Sequence, residues 1–179
     1  MGWIVSPRRF AKAFDRIVAR REPDLLERWI GDTKGYSALV LKDPDAVLED
    51  VAGELNVYYW RREFLSLDAV YSPSCDSERI SVVIEHENAV NSAGWEITKL
   101  AHVSVPLRVL ITYPIDVADD ERHLENYRKI LDGIDANASS QLLVIFGTID
   151  RPAMQSVNWR YFLYAGAEFI RIRPRRVAI

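Results

Sequence analysis

Three short apolar runs constrain the fold of this chain more than anything else in it: RISVVIEHE (79–87), LRVLITYP (107–114) and QLLVIFGTID (141–150). Each has the length of a strand and reads as one that is buried. Between them the period changes. SAGWEITKLAHV (92–103) is spaced as a helix with Asn91 or Ser92 as its cap, and in DDERHLENYRKILDGI (119–134) Leu124, Tyr127, Leu131 and Ile134 share one helical face behind an acidic first turn. Apolar strands alternating with amphipathic helices bury their surfaces as a sheet with helices laid on it. The expected class is therefore α/β, with a mixed sheet flanked by helices.

The flanking segments extend this pattern. Residues 7–21 place Phe10, Phe14, Ile17 and Val18 on one side of a helix and Arg9, Lys12, Arg16 and Arg20 on the other. A second short helix carries Pro23 near its start and Leu25, Leu26, Trp29 and Ile30 as its apolar set, stopping at Gly31. TKGYSALVLK (33–42) reads as a strand or loop leading into a helix that Asp43 caps, with Pro44 at its first position, and that runs to about residue 56. VYYWRREFLSLDAVYS (57–72) reads as one or two strands, and SPSCDSER turns it back into RISVVIEHE as a hairpin. WRYFLYAGAEFIRI (159–172) reads as a closing hairpin that turns at Ala165-Gly166.

A chain of 179 residues fits one domain with a sizeable core. Its apolar runs fall well short of the roughly 20 residues that span a bilayer, so no membrane partner is expected. The start, MGWIVSPRRF, lacks the pattern of a secretory leader, and the single Cys75 has no internal disulfide partner, so a cytoplasmic location is expected. His86, His102, His123 and Cys75 do not have zinc-finger spacing, and neither GxGxxG nor GxxxxGK[ST] occurs. The net charge of -3 is unevenly spread: residues 1–21 and 159–179 are basic and the centre is acidic. Basic ends and an acidic centre suit a protein that grips phosphates at its edges and holds cations in the middle. They also suit ordinary solvated faces with internal ion pairs, or self-association as a homodimer.

The centre holds the chemistry. Along a strand, Glu85 and Glu87 point one way and His86 the other. Asp68 falls on the same face of its strand as Val70, so a hairpin between the two strands brings it near Glu85. In the preceding helix Glu54 borders the apolar stripe while Glu49 faces away. Converging carboxylates repel one another, and a hard cation such as magnesium or manganese is the usual means of holding them ionised. The competing reading is a strand end at the surface, with Glu85 and Glu87 paired to Arg61, Arg62 or Arg108. On the same terms His86 and Trp95 read as packing residues.

Asp68, then Glu85-His86-Glu87 at the end of an apolar strand, then a helix and the strand LRVLITYP, resembles the PD-(D/E)xK nuclease superfamily. The resemblance implies a restriction-endonuclease-like core of helix, three-stranded meander, helix and strand over residues 44–113. Residues 1–42 would then be an N-terminal helical extension, and 114–179 a helix and strands extending the mixed sheet. It implies Mg2+- or Mn2+-dependent hydrolysis of phosphodiester bonds in nucleic acid, DNA in preference to RNA. Asp68 and Glu85 would be metal ligands, with Glu54 as an auxiliary acid from the first helix. Two departures stand out: Leu67 replaces the motif proline, and Glu87 occupies the position that is normally lysine. Some restriction endonucleases carry Glu-x-Glu there, which would make Glu87 the water-activating group. Others supply the lysine from the following helix, which makes Lys99 a second candidate, although it lies opposite that helix's apolar face of Ile97, Leu100 and Ala101. Arg9, Lys12, Arg16 and Arg20 of the first helix and Arg173, Arg175 and Arg176 near the C-terminus are the expected contacts to nucleic-acid phosphates. A fold that keeps the acidic cleft but works only in nucleic-acid or protein binding is the alternative.

Overall fold

The computed structural model describes residues 4–29, 32–60, 66–76, 79–134, 140–149 and 154–174. Four helices come first: α1 (Pro7–Arg20), α2 (Glu22–Trp29), α3 (Thr33–Leu41) and α4 (Val47–Leu55). Strands β1 (Tyr58–Trp60), β2 (Ala69–Ser72) and β3 (Val82–Glu87) follow, then α5 (Ala93–Ala101), β4 (Leu107–Thr112), α6 (Asp120–Asp132), β5 (Gln141–Ile149), β6 (Val157–Tyr164) and β7 (Phe169–Ile172). The seven strands form one sheet in chain order. Its outer pairs are antiparallel, whereas β3, β4 and β5 run parallel, joined through α5 and α6. The α/β class with a mixed, helix-flanked sheet is thus observed.

Each face of the sheet has its own core. Ile84, Val109, Ile111, Leu143 and Ile145 pack against Phe10, Phe14, Ile17, Leu39, Val51 and Leu55 of the N-terminal helices. Val83, Leu110, Val144 and Phe146 pack against Ile97, Leu100, Tyr127 and Leu131 of α5 and α6. Burial on both sides is why these strands are apolar throughout rather than alternating.

Two segments differ from expectation. Residues 33–41 are helical, because the Asp32 carboxylate accepts the Gly35 N–H at 2.8 Å and the helix buries Tyr36, Leu39, Val40 and Leu41. The following helix begins at Val47, three residues after Pro44. The Asp43 side chain is taken up by Arg28 at 3.3 Å, and its carbonyl accepts Ala46 N–H in a turn. At the closing hairpin Gly166 holds φ of 84°, the left-handed conformation that a turn there requires.

Gly147 allows a close approach rather than a turn. A Cβ there would lie 2.8 Å from the Trp159 ring and 3.0 Å from that of Tyr113, both set in the aromatic packing beneath α1 and α2. Gly147→Ala is expected to lower stability by about 1–3 kcal/mol in urea denaturation; an unchanged midpoint would show that both rings yield freely.

Candidate carboxylate–lysine site

The β2–β3 register pairs Ala69 with Ile84 and Val70 with Val83, so Asp68 stands opposite Glu85 one step further along. The two strands are tied at that step, where the His86 N–H donates to Asp68 Oδ2 at 2.9 Å. Alternation points Glu85 toward α5. There Lys99 Nζ lies 2.9 Å from Glu85 Oε1 and 2.6 Å from Glu96 Oε2. The same ammonium donates to the Ser66 carbonyl at 3.0 Å, presented by a backbone at φ of 64°. Asp68, Glu85, Glu96 and Lys99 therefore form one cluster drawn from the approach to β2, from β3 and from α5.

Glu85 is 1% exposed. Burial raises its pKa to about 8; the Lys99 hydrogen bond opposes the rise, and the Asp68 and Glu96 carboxylates add to it. Burial would lower the Lys99 pKa, but the hydrogen bonds it donates to Glu96 and Glu85 outweigh this and hold the ammonium above its ordinary value. Unfolded Glu85 titrates near 4.5, so between pH 4.5 and 8 the folded chain holds a proton that the unfolded chain lacks. Its contribution to stability is full below pH 4.5 and is lost as pH climbs through 8. Glu85→Gln is accordingly expected to flatten the stability profile over that interval. At pH 9 it should exceed wild type by on the order of 2 kcal/mol in urea denaturation; parallel profiles would rule out the raised pKa.

The other expected residues lie elsewhere or are engaged differently. Glu87 shares the face of Glu85, but its Oε1 accepts the Ala89 N–H at 2.8 Å in the turn after β3. Its charge acts on the Tyr127 phenol of α6. Glu54 is not brought to the cluster. Helix α4 packs on the opposite face of the sheet, where Glu54 pairs with Arg16 and has Arg20 at 4.0 Å. Arg108 does not neutralise Glu85 either: it is buried and donates to the carbonyls of Leu100 and Ser140 at 3.3 and 2.8 Å. Arg61 and Arg62 lie outside the described residues. His86 points away from the carboxylates, as its place in the strand requires. Its Nε2 lies 2.8 Å from Tyr113 Oη, and burial pushes its pKa down to about 3, so the ring is neutral.

Sequence reasoning placed Lys99 on the outer side of α5 and passed over Glu96. The signal that links them is their i, i+3 spacing, which sets carboxylate and ammonium side by side on one helix edge. Trp95 was read as packing, yet it is 78% exposed. The basic face of α1 belongs to the layer across the sheet from the cluster. There Arg9 donates to the Leu55 carbonyl at 2.8 Å, at the C-terminal end of α4, and Arg16 and Arg20 face Glu54. Lys12 is half-buried on that helix, Arg173 is exposed, and Arg175 and Arg176 lie outside the described residues.

Among the described residues, no group of three or more His, Cys, Asp or Glu side chains is arranged to hold a metal ion. Lys99 lies against both Glu85 and Glu96, so the ammonium supplies the neutralising charge. No helix of the described residues is long and apolar enough to cross a membrane. A separate cleft of about 190 Å³ opens on the His86 side, lined by Trp29, Thr33, Tyr36, Asn88 and Tyr113. Among the described residues its lining carries no carboxylate or cation. No protein-family model, curated protein or solved structure matches the chain.

Proposed function

We propose that the chain is a metal-dependent nuclease of the PD-(D/E)xK type, hydrolysing phosphodiester bonds at Asp68, Glu85 and Lys99. The observation that carries this reading is the meeting of two cross-strand carboxylates with a lysine from the next helix. Helix α4, the antiparallel strands β1 to β3, α5 and β4 follow in the order of that family's core. Lys99, rather than Glu87, is the group that stands beside the carboxylates.

Carboxylate oxygen is the donor type a hard cation takes, but Lys99 stands against Glu85 and Glu96, and the described residues form no group arranged to hold an ion as they lie, so the ion would have to draw the carboxylates together. Glu85 Oε1 and Glu96 Oε2 are sealed from water and face the Lys99 ammonium at 2.9 and 2.6 Å. With Glu85 protonated below about pH 8, the carboxylates of Asp68 and Glu96 still outnumber the one ammonium, and oxygen-seeking Mg2+ or Mn2+ is the kind of ion that would neutralise the excess. Asp68, Glu85 and Glu96 are the side chains that would hold it. A bound magnesium supplies charge stabilisation of the phosphoryl oxygens and a more acidic water. Lys99, which meets Glu85 at 2.9 Å, would be the group beside such an ion that orients water and meets a phosphate oxygen. The sealed surroundings of Glu85 strengthen each of these interactions.

Calorimetric titration of Mg2+ and Mn2+ into wild type and an Asp68→Ala, Glu85→Ala double variant is the test. Uptake by wild type alone is the expected result; absence of uptake by wild type overturns the reading. In that event the Glu85–Lys99–Glu96 ion pairs favour the non-catalytic alternative, a binding module in which Lys99 permanently neutralises the cluster.

A further inference from the structure

We infer that the cleft at the carboxyl ends of β3, β4 and β5 binds an uncharged nucleoside, its base against Trp29, Tyr36 and Tyr113 and its ribose over Ile115 beside Asp116. The site lies on the His86 side of the sheet, so it does not depend on a cation at the carboxylate–lysine cluster. Asn88 follows β3, Tyr113 follows β4 and Ile149 ends β5. In open α/β sheets the crevice beyond the carboxyl ends of parallel strands is where ligands are taken up. A cavity of about 150 Å³ holds one benzene ring, and this cleft, at about 190 Å³, has room for one base. Ile115 and Ile149 also line an adjoining depression of about 550 Å³ with Asp116, Ser156 and Asn158. The two hollows share that wall, so a ligand can fill both.

The lining selects the ligand. Trp29, Tyr36 and Tyr113 meet edge to face with centroids 4.8 to 5.4 Å apart, so the rings close on one another instead of standing round a cation as an ammonium cage requires. Behind them Tyr113 Oη meets Nε2 of the neutral His86 ring at 2.8 Å. With no charge lining the cleft among the described residues, a flat uncharged ring is what fits. Asn88 supplies an edge for it. Its Nδ2 donates to Ser37 Oγ at 2.6 Å, which fixes the carboxamide and leaves, among the described residues, Oδ1 and the second amide proton as an acceptor and donor side by side. A carboxamide reads adenine through such a pair. Ile115 is 69% exposed, an apolar side chain open to solvent that a ribose covers. Asp116, oriented by the Ala118 N–H at 2.9 Å, accepts ribose hydroxyls, as acidic residues near such strand ends do, and repels phosphate.

The test is a titration of adenosine, AMP and choline into the isotope-labelled full chain, followed by the NMR signals of the Trp29 indole and the Asn88 side-chain amide, with calorimetry for affinity. Adenosine should saturate below about 1 mM and shift both signals. AMP should bind roughly two- to fivefold more weakly, the effect of one exposed like charge, and Asp116→Asn should remove that difference. Choline should shift neither signal. Asn88→Ala should bind adenosine roughly tenfold more weakly or worse. Tighter binding of AMP than of adenosine, or shifts by choline in place of adenosine, overturns the uncharged ligand. Signals unmoved by adenosine, or equal affinities of wild type and Asn88→Ala, overturn the site. The wild-type signals decide the matter even where Asn88→Ala, which loses the Ser37 bond, is destabilised. None of these readings involves magnesium, so this inference and the metal-site reading fail separately.

Discussion

Arg160→Ala is expected to destabilise the fold by about 3–5 kcal/mol. The guanidinium of this β6 residue is sealed from water and grips Asp120 at both oxygens, Nε to Oδ2 at 2.6 Å and Nη2 to Oδ1 at 2.8 Å. Its remaining donors reach Thr148 Oγ1 at 2.8 Å and the Asn158 carbonyl at 2.7 Å. Asp120 opens α6, so the pair pins the start of that helix to β5 and β6. Truncating Arg160 leaves a buried carboxylate without its cation, and the cost lies mainly in that orphaned charge. An Arg160→Ala, Asp120→Ala double variant should therefore recover part of the loss. Lysine at 160 should rescue poorly, because an ammonium lacks the planar fork. A loss below about 1 kcal/mol in urea denaturation would mean that the site relaxes or hydrates.

The second large effect concerns catalysis. If the proposed function holds, Lys99→Met should lower Mg2+-dependent cleavage of nucleic acid by about 10²–10⁴-fold, while Glu87→Gln should stay within roughly tenfold of wild type. The ammonium meets Glu85 directly, whereas the Glu87 carboxylate is tied to the Ala89 N–H. Methionine preserves the aliphatic stem of Lys99 and removes its charge, so the comparison isolates the charge. Assays on single- and double-stranded DNA and RNA check it. The opposite ranking, with Glu87→Gln the more damaging, would move water activation to the Glu-x-Glu carboxylate and leave Lys99 as a structural counter-ion.

Much of the site was legible in local pattern. Strand alternation alone sent Glu85 and Glu87 to one face and His86 to the other, whereas Asp68 precedes β2 and Leu67 beside it packs on the side of Val70, so alternation does not by itself place Asp68. The hairpin then needed only its register to bring Asp68 opposite Glu85. Glu54 and the segment 33–41 show where such reasoning stops. Glu54 borders an apolar stripe, as its helical angle says, but the stripe faces the other side of the sheet. The segment 33–41 carries Gly35 and β-branched Thr33 and Val40, weak helix formers, and is helical because it buries four side chains and is capped by Asp32.

The sequence by itself determined the kinds of element outside residues 33–41, the α/β layering and the acidic character of the β3 end. Hydrophobic period and capping chemistry are properties of neighbouring residues, and they act before any long-range contact forms. Only the tertiary structure decided which carboxylates share a site and which cation meets them. Lys99 and Glu96 join Glu85 because the crossover from β3 lays α5 back over the sheet, and Arg16 withdraws Glu54 because α1 and α4 pack across it. Charge–charge interaction depends on separation in space, and a pattern along the chain specifies a direction around each element without specifying what another element brings to meet it.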